Sequence, residues 1–149
     1  MYFSIRDGGI NDLKQILDIE NLSFAAPWKE KDLQYELTEN PVSSYLVAED
    51  EFGLVIGFID YWVTFDSSTI AQIAVHPNYR RNHIAEALLR EAIKECYIKK
   101  AMTITLEVRT KNVSAIGLYH KCGFKDVVIK PHYYENGDDA LYMLRKVEI

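Results

Sequence analysis

The sequence has few of the residues that mark specialised classes of protein. Its 149 residues include two cysteines, Cys96 and Cys122, and four prolines. The cysteines form no C-x-x-C motif and lie within helical patterns, so we expect two reduced core residues rather than a metal-binding or redox pair. No linker, repeat or low-complexity run interrupts the chain, and residues 1–149 are therefore predicted to form a single domain.

Long hydrophobic runs are also missing. No segment approaches about 18 unbroken apolar residues, so we expect no membrane-spanning helix and no membrane partner. Residues 1–6 lack the basic-then-apolar order of a signal peptide. Together these absences predict a cytoplasmic protein.

Positive charge is not in excess. The chain carries 17 lysines and arginines against 22 aspartates and glutamates, which gives a formal net charge of −5. This balance argues against a general nucleic-acid-binding protein and mildly favours a cationic partner. The apolar content of 48% is ordinary for a globular protein.

The chain does contain a strand, a basic loop and a helix in immediate succession. An apolar run ends at His76-Pro77, Arg80 and Arg81 follow, and a helical pattern begins at Ile84. Unpaired N–H groups at a helix start, the positive end of the helix dipole and two arginines favour a phosphate or pyrophosphate ligand. The common nucleotide fingerprints G-x-G-x-x-G and G-K-S/T are absent.

Hydrophobic periodicity predicts the remaining secondary structure. Strands are expected at residues 2–6, 44–49, 54–65, 69–75, 103–109, 126–130 and 140–146, and helices at about 13–22, 28–38, 84–100 and 112–122. The strand, helix and strand across residues 69–109 imply a parallel crossover. Gly123 is placed to end the last helix in the left-handed conformation.

Two side chains in the second half of the chain have more than one interpretation. Glu107 lies on the polar face of a central strand, where a carboxylate is costly to bury unless it is paired or used. It could form a salt bridge with Arg109, face solvent, or take part in chemistry. Tyr119, on the inward face of the next helix, could be a core tyrosine or a reactive phenol, whereas the adjacent His120 is expected at the surface.

The basic loop resembles the pyrophosphate loop of the GCN5-related N-acetyltransferases (the GNAT family), in which Arg or Gln is followed by two residues, Gly, one residue, and Gly or Ala. Arg80 takes the first position, His83 the first glycine position and Ala85 the last. The segments that resemble the family's second signature are Leu106 to Arg109, Asn112, Ser114-Ala115, Leu118-Tyr119 and Gly123-Phe124. With the aromatic segments at 24–28 and 133–134, the chain is similar to ribosomal-protein alanine N-acetyltransferases of the RimI type from residue 5 to residue 145.

This resemblance implies an α/β fold of the mixed α+β kind, with a mixed sheet of about seven strands and about four helices. The sheet is expected to splay between the strand ending at Val75 and the strand carrying Glu107, with acetyl-CoA in the splay as co-substrate and no metal. By resemblance, the pantetheine arm pairs with backbone at residues 73–75, and the pyrophosphate rests on residues 81–86. The implied acetyl-CoA-binding residues are Ile73, Ala74, Val75, Arg80, Arg81, Asn82, His83, Ile84, Ala85, Glu86 and Asn112.

The resemblance also assigns Glu107 as general base and Tyr119 as general acid. An α-amino group has a pKa near 7.7–8.0, so it must lose a proton before it attacks a thioester. Glu107 could accept that proton directly or through water, and Tyr119 could protonate the thiolate as the C–S bond breaks. No Cys–His pair in the pattern indicates a covalent intermediate.

We therefore expect an N-terminal protein acetyltransferase that acts on the N-terminal alanine of a small-subunit ribosomal protein, whose basic tail would suit an acidic enzyme. Phe24, Trp28, Tyr133 and Tyr134 are expected to line the acceptor site, although Phe24 and Trp28 could instead form a packed helical corner. Two other functions remain open. One is acetylation of small amines such as polyamines or amino sugars, and the other is a non-catalytic CoA-binding or partner-binding module, for which His83 is the sequence argument.

His83 allows two outcomes, because it stands where the family has glycine. With an ordinary helical φ, its side chain can turn outward, the N–H groups remain available, and acetyl-CoA binds normally, more tightly below about pH 6.5. With the left-handed conformation, binding should be weak, and His83→Gly should strengthen it by on the order of 1 kcal/mol. We expect the first outcome, since the rest of the loop fits the family pattern.

Overall fold

The computed structural model describes residues 1–148. Within them are seven strands and four α-helices, as the sequence predicts. In chain order the elements are β1 (Phe3–Asp7), α1 (Leu13–Ser23), α2 (Glu30–Thr38), β2 (Ser43–Asp50), β3 (Val55–Thr64), β4 (Ser67–Val75), α3 (Ile84–Ile98), β5 (Thr103–Arg109), α4 (Val113–Lys121), β6 (Lys125–Lys130) and β7 (Ala140–Lys146). Single 3₁₀ turns precede α1, at Ile10–Asp12, and follow β4, at Pro77–Tyr79.

All seven strands form one sheet in the order β1-β2-β3-β4-β5-β7-β6. Neighbouring strands are antiparallel except β4 and β5, which are parallel. The connection between these two runs through α3, since parallel neighbours need a long crossover. The predicted crossover is confirmed.

The parallel pair is short. β4 and β5 are in register only from Ser67 opposite Thr103 to Thr69 opposite Thr105. Beyond Thr69, β4 continues to Val75 while paired with β3 alone. The predicted splay is therefore present, and it leaves one edge of the carboxyl end of β4 without a neighbouring strand.

A bulge in β4 accompanies the splay. Asp60 of β3 lies opposite Gln72, whereas the next residue, Tyr61, lies opposite Ile70. Ala71 is thus an extra residue on β4. A bulge bends its strand and increases the local twist, which turns the end of β4 away from β5.

Apolar side chains form a core on each face of the sheet. One core lies beneath α3 and α4 and contains Leu88, Cys96 and Cys122. The other lies beneath α1 and α2 and includes Ile16 and Phe58. Both cysteines are buried and free, as expected. Among residues 1–148, no helix combines the length and the apolar character needed to cross a membrane.

A buried polar cluster lies beneath α2. Glu36 accepts hydrogen bonds from Trp62 Nε1 and Asn40 Nδ2, both at 2.6 Å. Asp60 is fully buried, and its Oδ1 accepts a hydrogen bond from Ser43 Oγ at 2.7 Å. Burial, reinforced by the nearby Glu36, raises the pKa of Asp60 to about 9. Asp60 is therefore protonated in the folded protein at neutral pH.

Replacing Asp60 with asparagine should change how stability depends on pH. The folded state keeps the Asp60 proton up to about pH 9, whereas the unfolded chain releases it near the ordinary value of 3.8. Between these values the folded state binds more protons, so wild-type stability falls as pH rises, by up to about 1.4 kcal/mol per pH unit from this group. The stability of the wild type relative to Asp60→Asn should be greatest near pH 4 and should decline towards pH 9.

Urea denaturation of both proteins across this range measures the difference. The exposed Asp66 provides a matched control, and Asp66→Asn should track the wild type at every pH. A constant difference between the wild type and Asp60→Asn would contradict the protonated state of Asp60.

Candidate active site

The loop between β4 and α3 presents a row of backbone donors. Within residues 1–148, none of the N–H groups of residues 80–86 donates a hydrogen bond to another protein group. Arg81 and His83 have left-handed backbone, with φ of 66° and 61°. Successive N–H groups around left-handed residues form a concave anion site, and the N-terminus of α3 adds its dipole. This geometry suits a pyrophosphate.

Arg80 has a different role from its neighbour. Its Nε donates to the carbonyl of Val75 at 3.1 Å, and its Nη2 lies 3.5 Å from Ser23 Oγ. The side chain therefore holds the loop against the end of β4. Arg81 makes no side-chain hydrogen bond or ion pair with the described residues, so it supplies the available positive charge. Direct contact of either arginine with a phosphate stays a prediction.

The expectation that His83 keeps an ordinary helical φ is wrong. His83 is the N-cap of α3, with φ 61° and ψ 22°. The chain reverses here as it enters the helix, which is the conformation that glycine adopts most easily. The imidazole nevertheless points outward, since the side chain is 82% exposed and its Nδ1 lies 3.9 Å from Glu86 Oε1. The N–H groups remain available even though the conformation is that of a glycine.

Glu86 joins the two helices on this face of the sheet. Its carboxylate accepts hydrogen bonds from Lys121 of α4 at 2.8 Å and from Arg90 at 2.9 Å. Lys121 first, and then Arg90, lower the pKa of Glu86 to about 2. The side chain thus has a structural role, and the part of Glu86 that faces the loop is its backbone N–H group.

Replacing His83 with glycine should mainly affect folding. The left-handed conformation belongs to the fold, so its cost is carried before acetyl-CoA binds. We expect His83→Gly to raise the free energy of unfolding by about 1 kcal/mol and to change the acetyl-CoA Kd by less than about threefold. The tighter binding at low pH was expected only with an ordinary helical φ, so it no longer follows.

Denaturant unfolding and calorimetric titration measure the two quantities separately. His83→Ala is the matched control, because it removes the imidazole but keeps the β-carbon, and it should gain no stability. A glycine variant that bound acetyl-CoA tenfold more tightly at unchanged stability would overturn this account.

Glu107 lies just beyond the point where β5 leaves β4. Its Oε2 accepts a hydrogen bond from Lys130 Nζ at 2.9 Å. The alternative of a salt bridge with Arg109 is wrong, since Arg109 pairs with Asp138 at 3.1 Å. Tyr133 lies near this carboxylate, and its interaction with Glu107 is the main cause that raises the pKa of Tyr133. The hydrogen bond that holds Glu107 comes from the Lys130 ammonium.

No pattern in the sequence singles out Lys130. This lysine is the last residue of β6, and β7 separates β6 from β5. Its ammonium lies 4.7 Å from the ring centroid of Tyr142, which stands directly opposite Glu107 in the register. The pairing thus reaches across an intervening strand. A local pattern cannot reveal it, since strand order is not encoded in periodicity.

Tyr119 is almost fully buried, at 6% exposure. Its ring packs edge-on against Phe124, with centroids 5.9 Å apart. Its hydroxyl makes no hydrogen bond with the described residues, yet it is not among the fully enclosed unpaired atoms, so the oxygen touches solvent. Burial, with a smaller contribution from Tyr134, raises the pKa of Tyr119 above its ordinary value. The phenol therefore keeps its proton at neutral pH and can act as a donor.

No hydrogen bond joins Glu107 to Tyr119 within residues 1–148, and the partner of Glu107 is Lys130. Tyr134 lies near both. Burial raises the pKa of Tyr134, Arg109 opposes this shift, and Glu107 adds to it. Arg109 stacks over the Tyr134 ring at 3.9 Å, and Tyr133 packs edge-on at 5.1 Å. The aromatic pair thus lies close to the base candidate, and Tyr134 also lies close to the acid candidate.

The other predicted site residues have structural partners. Phe24 and Trp28 are half-buried and pack against the core beneath α1 and α2, which supports the packed-corner interpretation for part of their surface.

Asn112 is the N-cap of α4, where its Oδ1 accepts from Ala115 N–H at 3.2 Å. Asn82 Nδ2 donates to the carbonyl of Tyr79 at 2.9 Å. Contacts of these residues with acceptor or acetyl-CoA stay predictions.

Across residues 1–148, no three or more His, Cys, Asp or Glu side chains are arranged to hold a metal ion. The surface-exposed His120 pairs with Asp126 at 2.7 Å, in agreement with its predicted surface position.

The family follows from comparison with known proteins. The model of the Acetyltransferase (GNAT) family matches residues 13–124. This chain belongs to the GNAT family. The GNAT assignment confirms the predicted fold and enzyme class, so the protein is an acetyl-CoA-dependent N-acetyltransferase rather than a non-catalytic module.

Individual relatives of this GNAT chain cover nearly its whole length. The ribosomal protein bS18-alanine N-acetyltransferase of Escherichia coli (strain K12) is 34% identical over 135 residues, 89% of each chain. A Bacillus subtilis (strain 168) protein that carries the same name provisionally is 38% identical over 141 residues, 94% of this chain and 93% of its own. The crystal structure of the ribosomal-protein-S18-alanine N-acetyltransferase from Escherichia coli superposes with a TM-score of 0.91 at 30% identity, over 99% of this chain and 96% of that chain.

Proposed function

We propose that this enzyme acetylates the α-amino group of a protein N-terminus, specifically the N-terminal alanine of ribosomal protein bS18. The observation that carries the proposal is the position of Glu107, two residues beyond the last β4–β5 pair at Thr105, where the splay begins. A carboxylate there faces the place where an amine and an acetyl thioester would meet. The names of the relatives supply the acceptor, and the formal charge of −5 favours a basic protein tail.

In this mechanism Glu107 takes a proton from the incoming amine. Acetyl-CoA, when bound, supplies an activated acetyl thioester. An α-ammonium group with a pKa near 7.7–8.0 is largely protonated at neutral pH and cannot attack until it loses a proton. Lys130 holds the Glu107 carboxylate on a rigid strand, so its position relative to the amine is set before the acceptor binds.

Tyr119 provides the proton for the leaving thiolate. Burial keeps its phenol neutral, and its hydroxyl donates to no group of the described residues. Direct transfer of the acetyl group to the amine is favoured over a covalent enzyme intermediate. Cys122 is the nearest thiol in the sequence, but burial raises its pKa, so it remains a weak nucleophile.

Removing either proton-transfer group should lower turnover without unfolding the protein. Glu107→Gln and Tyr119→Phe should each reduce kcat by about 10²–10⁴, because each loses one proton-transfer step. Acetyl-CoA affinity should be unchanged, since neither side chain lies in the pyrophosphate loop. Steady-state kinetics with thermal unfolding as a control measures both effects, and normal turnover in either variant would remove that residue from the mechanism.

Acceptor choice tests the function itself. We expect a peptide with the N-terminal sequence of mature bS18 to gain one acetyl group, about 42 Da, when it is incubated with acetyl-CoA and the wild-type enzyme. The same peptide beginning with Ser or Met should react more slowly, and polyamines should not react. Intact-mass analysis over time measures each rate. Preferential acetylation of polyamines would overturn the proposal in favour of a small-amine acetyltransferase.

A further inference from the structure

A buried carboxylate lies next to Trp28, a residue of the predicted acceptor site. Glu20 of α1 is fully buried, and its Oε2 accepts two hydrogen bonds. One comes from the backbone N–H of Trp28 at 2.7 Å, and the other from Gln72 Nε2 at 2.9 Å. Glu20 thus joins three separate parts of the chain: α1, the segment between α1 and α2, and β4.

This arrangement is a poor way to stabilise a fold. No lysine, arginine or histidine of the described residues pairs with Glu20. Glu20 Oε1 and Gln72 Oε1 are buried and accept no hydrogen bond from the protein. Burying a carboxylate without a cation, and leaving oxygens unpaired, costs stability relative to apolar packing. A role other than stability is the better explanation for a carboxylate in this position.

The sheet register places this pair on the same face as Glu107. Thr105 shares the Glu107 face of β5, because alternate residues of a strand point the same way. Its hydroxyl lies 3.2 Å from the hydroxyl of Thr69, so Thr69 of β4 also points to that face. Thr69 stands opposite Trp62 of β3, and residues directly opposite share a face.

The same reasoning reaches Gln72 from β3. Trp62 and Asp60 are two residues apart on β3 and therefore share a face. Gln72 stands opposite Asp60, on the far side of the bulge. The side chains of Gln72 and Glu107 consequently point to the same face of the sheet, from the two strands that separate at the splay. Glu20 approaches that face from α1 and holds the segment that contains Trp28.

We propose that Glu20 is a positioning residue for the peptide acceptor. It fixes Trp28 and Gln72 on the β4 side of the splay, so that the acceptor amine is presented to Glu107 on the β5 side. This inference rests on the proposed function. Glu20 itself is buried and acts through the two groups that it holds. Its chemical target is the first residue of an extended peptide, because the Trp28 segment and β4 would lie along the acceptor chain.

Glu20→Met tests the role directly. It removes both hydrogen bonds while keeping a similar volume. We expect KM for the peptide to rise by about tenfold or more while KM for acetyl-CoA stays within about twofold. Glu20→Gln keeps an oxygen that can accept from Trp28 and Gln72, and it should restore the peptide KM to within about threefold of wild type.

Glu36→Met is the matched control. Glu36 of α2 is also a buried carboxylate, but its partners are Trp62 and Asn40 rather than the acceptor segment. It should lower the melting temperature without a selective rise in the peptide KM. If Glu20→Met does not fold, Gln72→Leu removes one of the two contacts alone and should raise the peptide KM in the same selective way.

Each outcome has a distinct meaning. A selective rise in peptide KM, rescued by Glu20→Gln, supports the inference. Equal changes in both KM values, an unchanged peptide KM, or the same selective rise in Glu36→Met overturns it. A wild type that acetylates no peptide overturns the proposed function as well, and that failure is visible before any variant is compared.

Discussion

The separation of β4 from β5 is the constraint on which the rest of the structure depends. Three residue pairs join these strands, and the bulge at Ala71 then turns β4 away. A sheet that remained paired to Val75 would satisfy the β4 backbone and close the place where acetyl-CoA is expected. The splay instead leaves backbone groups unpaired on β4, and it opens the sheet beside Glu107 on β5.

Several residues around this opening have a backbone conformation or an environment that costs free energy when each is considered alone. His83 and Arg81 have left-handed backbone, and Glu20 is a buried carboxylate without a cation. Such features persist only when the surrounding structure over-determines them, and they concentrate where a protein binds or reacts. The two cores on opposite faces of the sheet provide the packing that offsets these costs. α3 and α4 support the loop and Tyr119, whereas α1 and α2 support the acceptor side.

The secondary structure was predictable because it depends on local patterns. The alternation at β5 predicted both its limits and its faces, and every second residue from Ile104 to Val108 is buried. Gly123, at φ 92°, ends α4 in the left-handed conformation as its position indicated. The seven strands and the parallel crossover followed from hydrophobic periodicity, whereas the splay followed from the family resemblance, with Glu107 and Tyr119 named as candidates before their surroundings were known.

What the sequence by itself determined was the set of elements, the face on which each side chain lies, and the residue types that the chemistry requires. Only the tertiary structure decided which of these side chains meet. The Lys130–Glu107 pair crosses an intervening strand, the Arg80 contact with the Val75 carbonyl depends on the fold of a loop, and Glu20 meets Gln72 across 52 residues of chain. The tertiary structure also decided the left-handed φ of His83, since the path from β4 into α3 overrides the preference of a non-glycine residue for negative φ. Local periodicity reports how a segment buries its own side chains, whereas these contacts depend on the order and angle of packed elements, which no single segment contains.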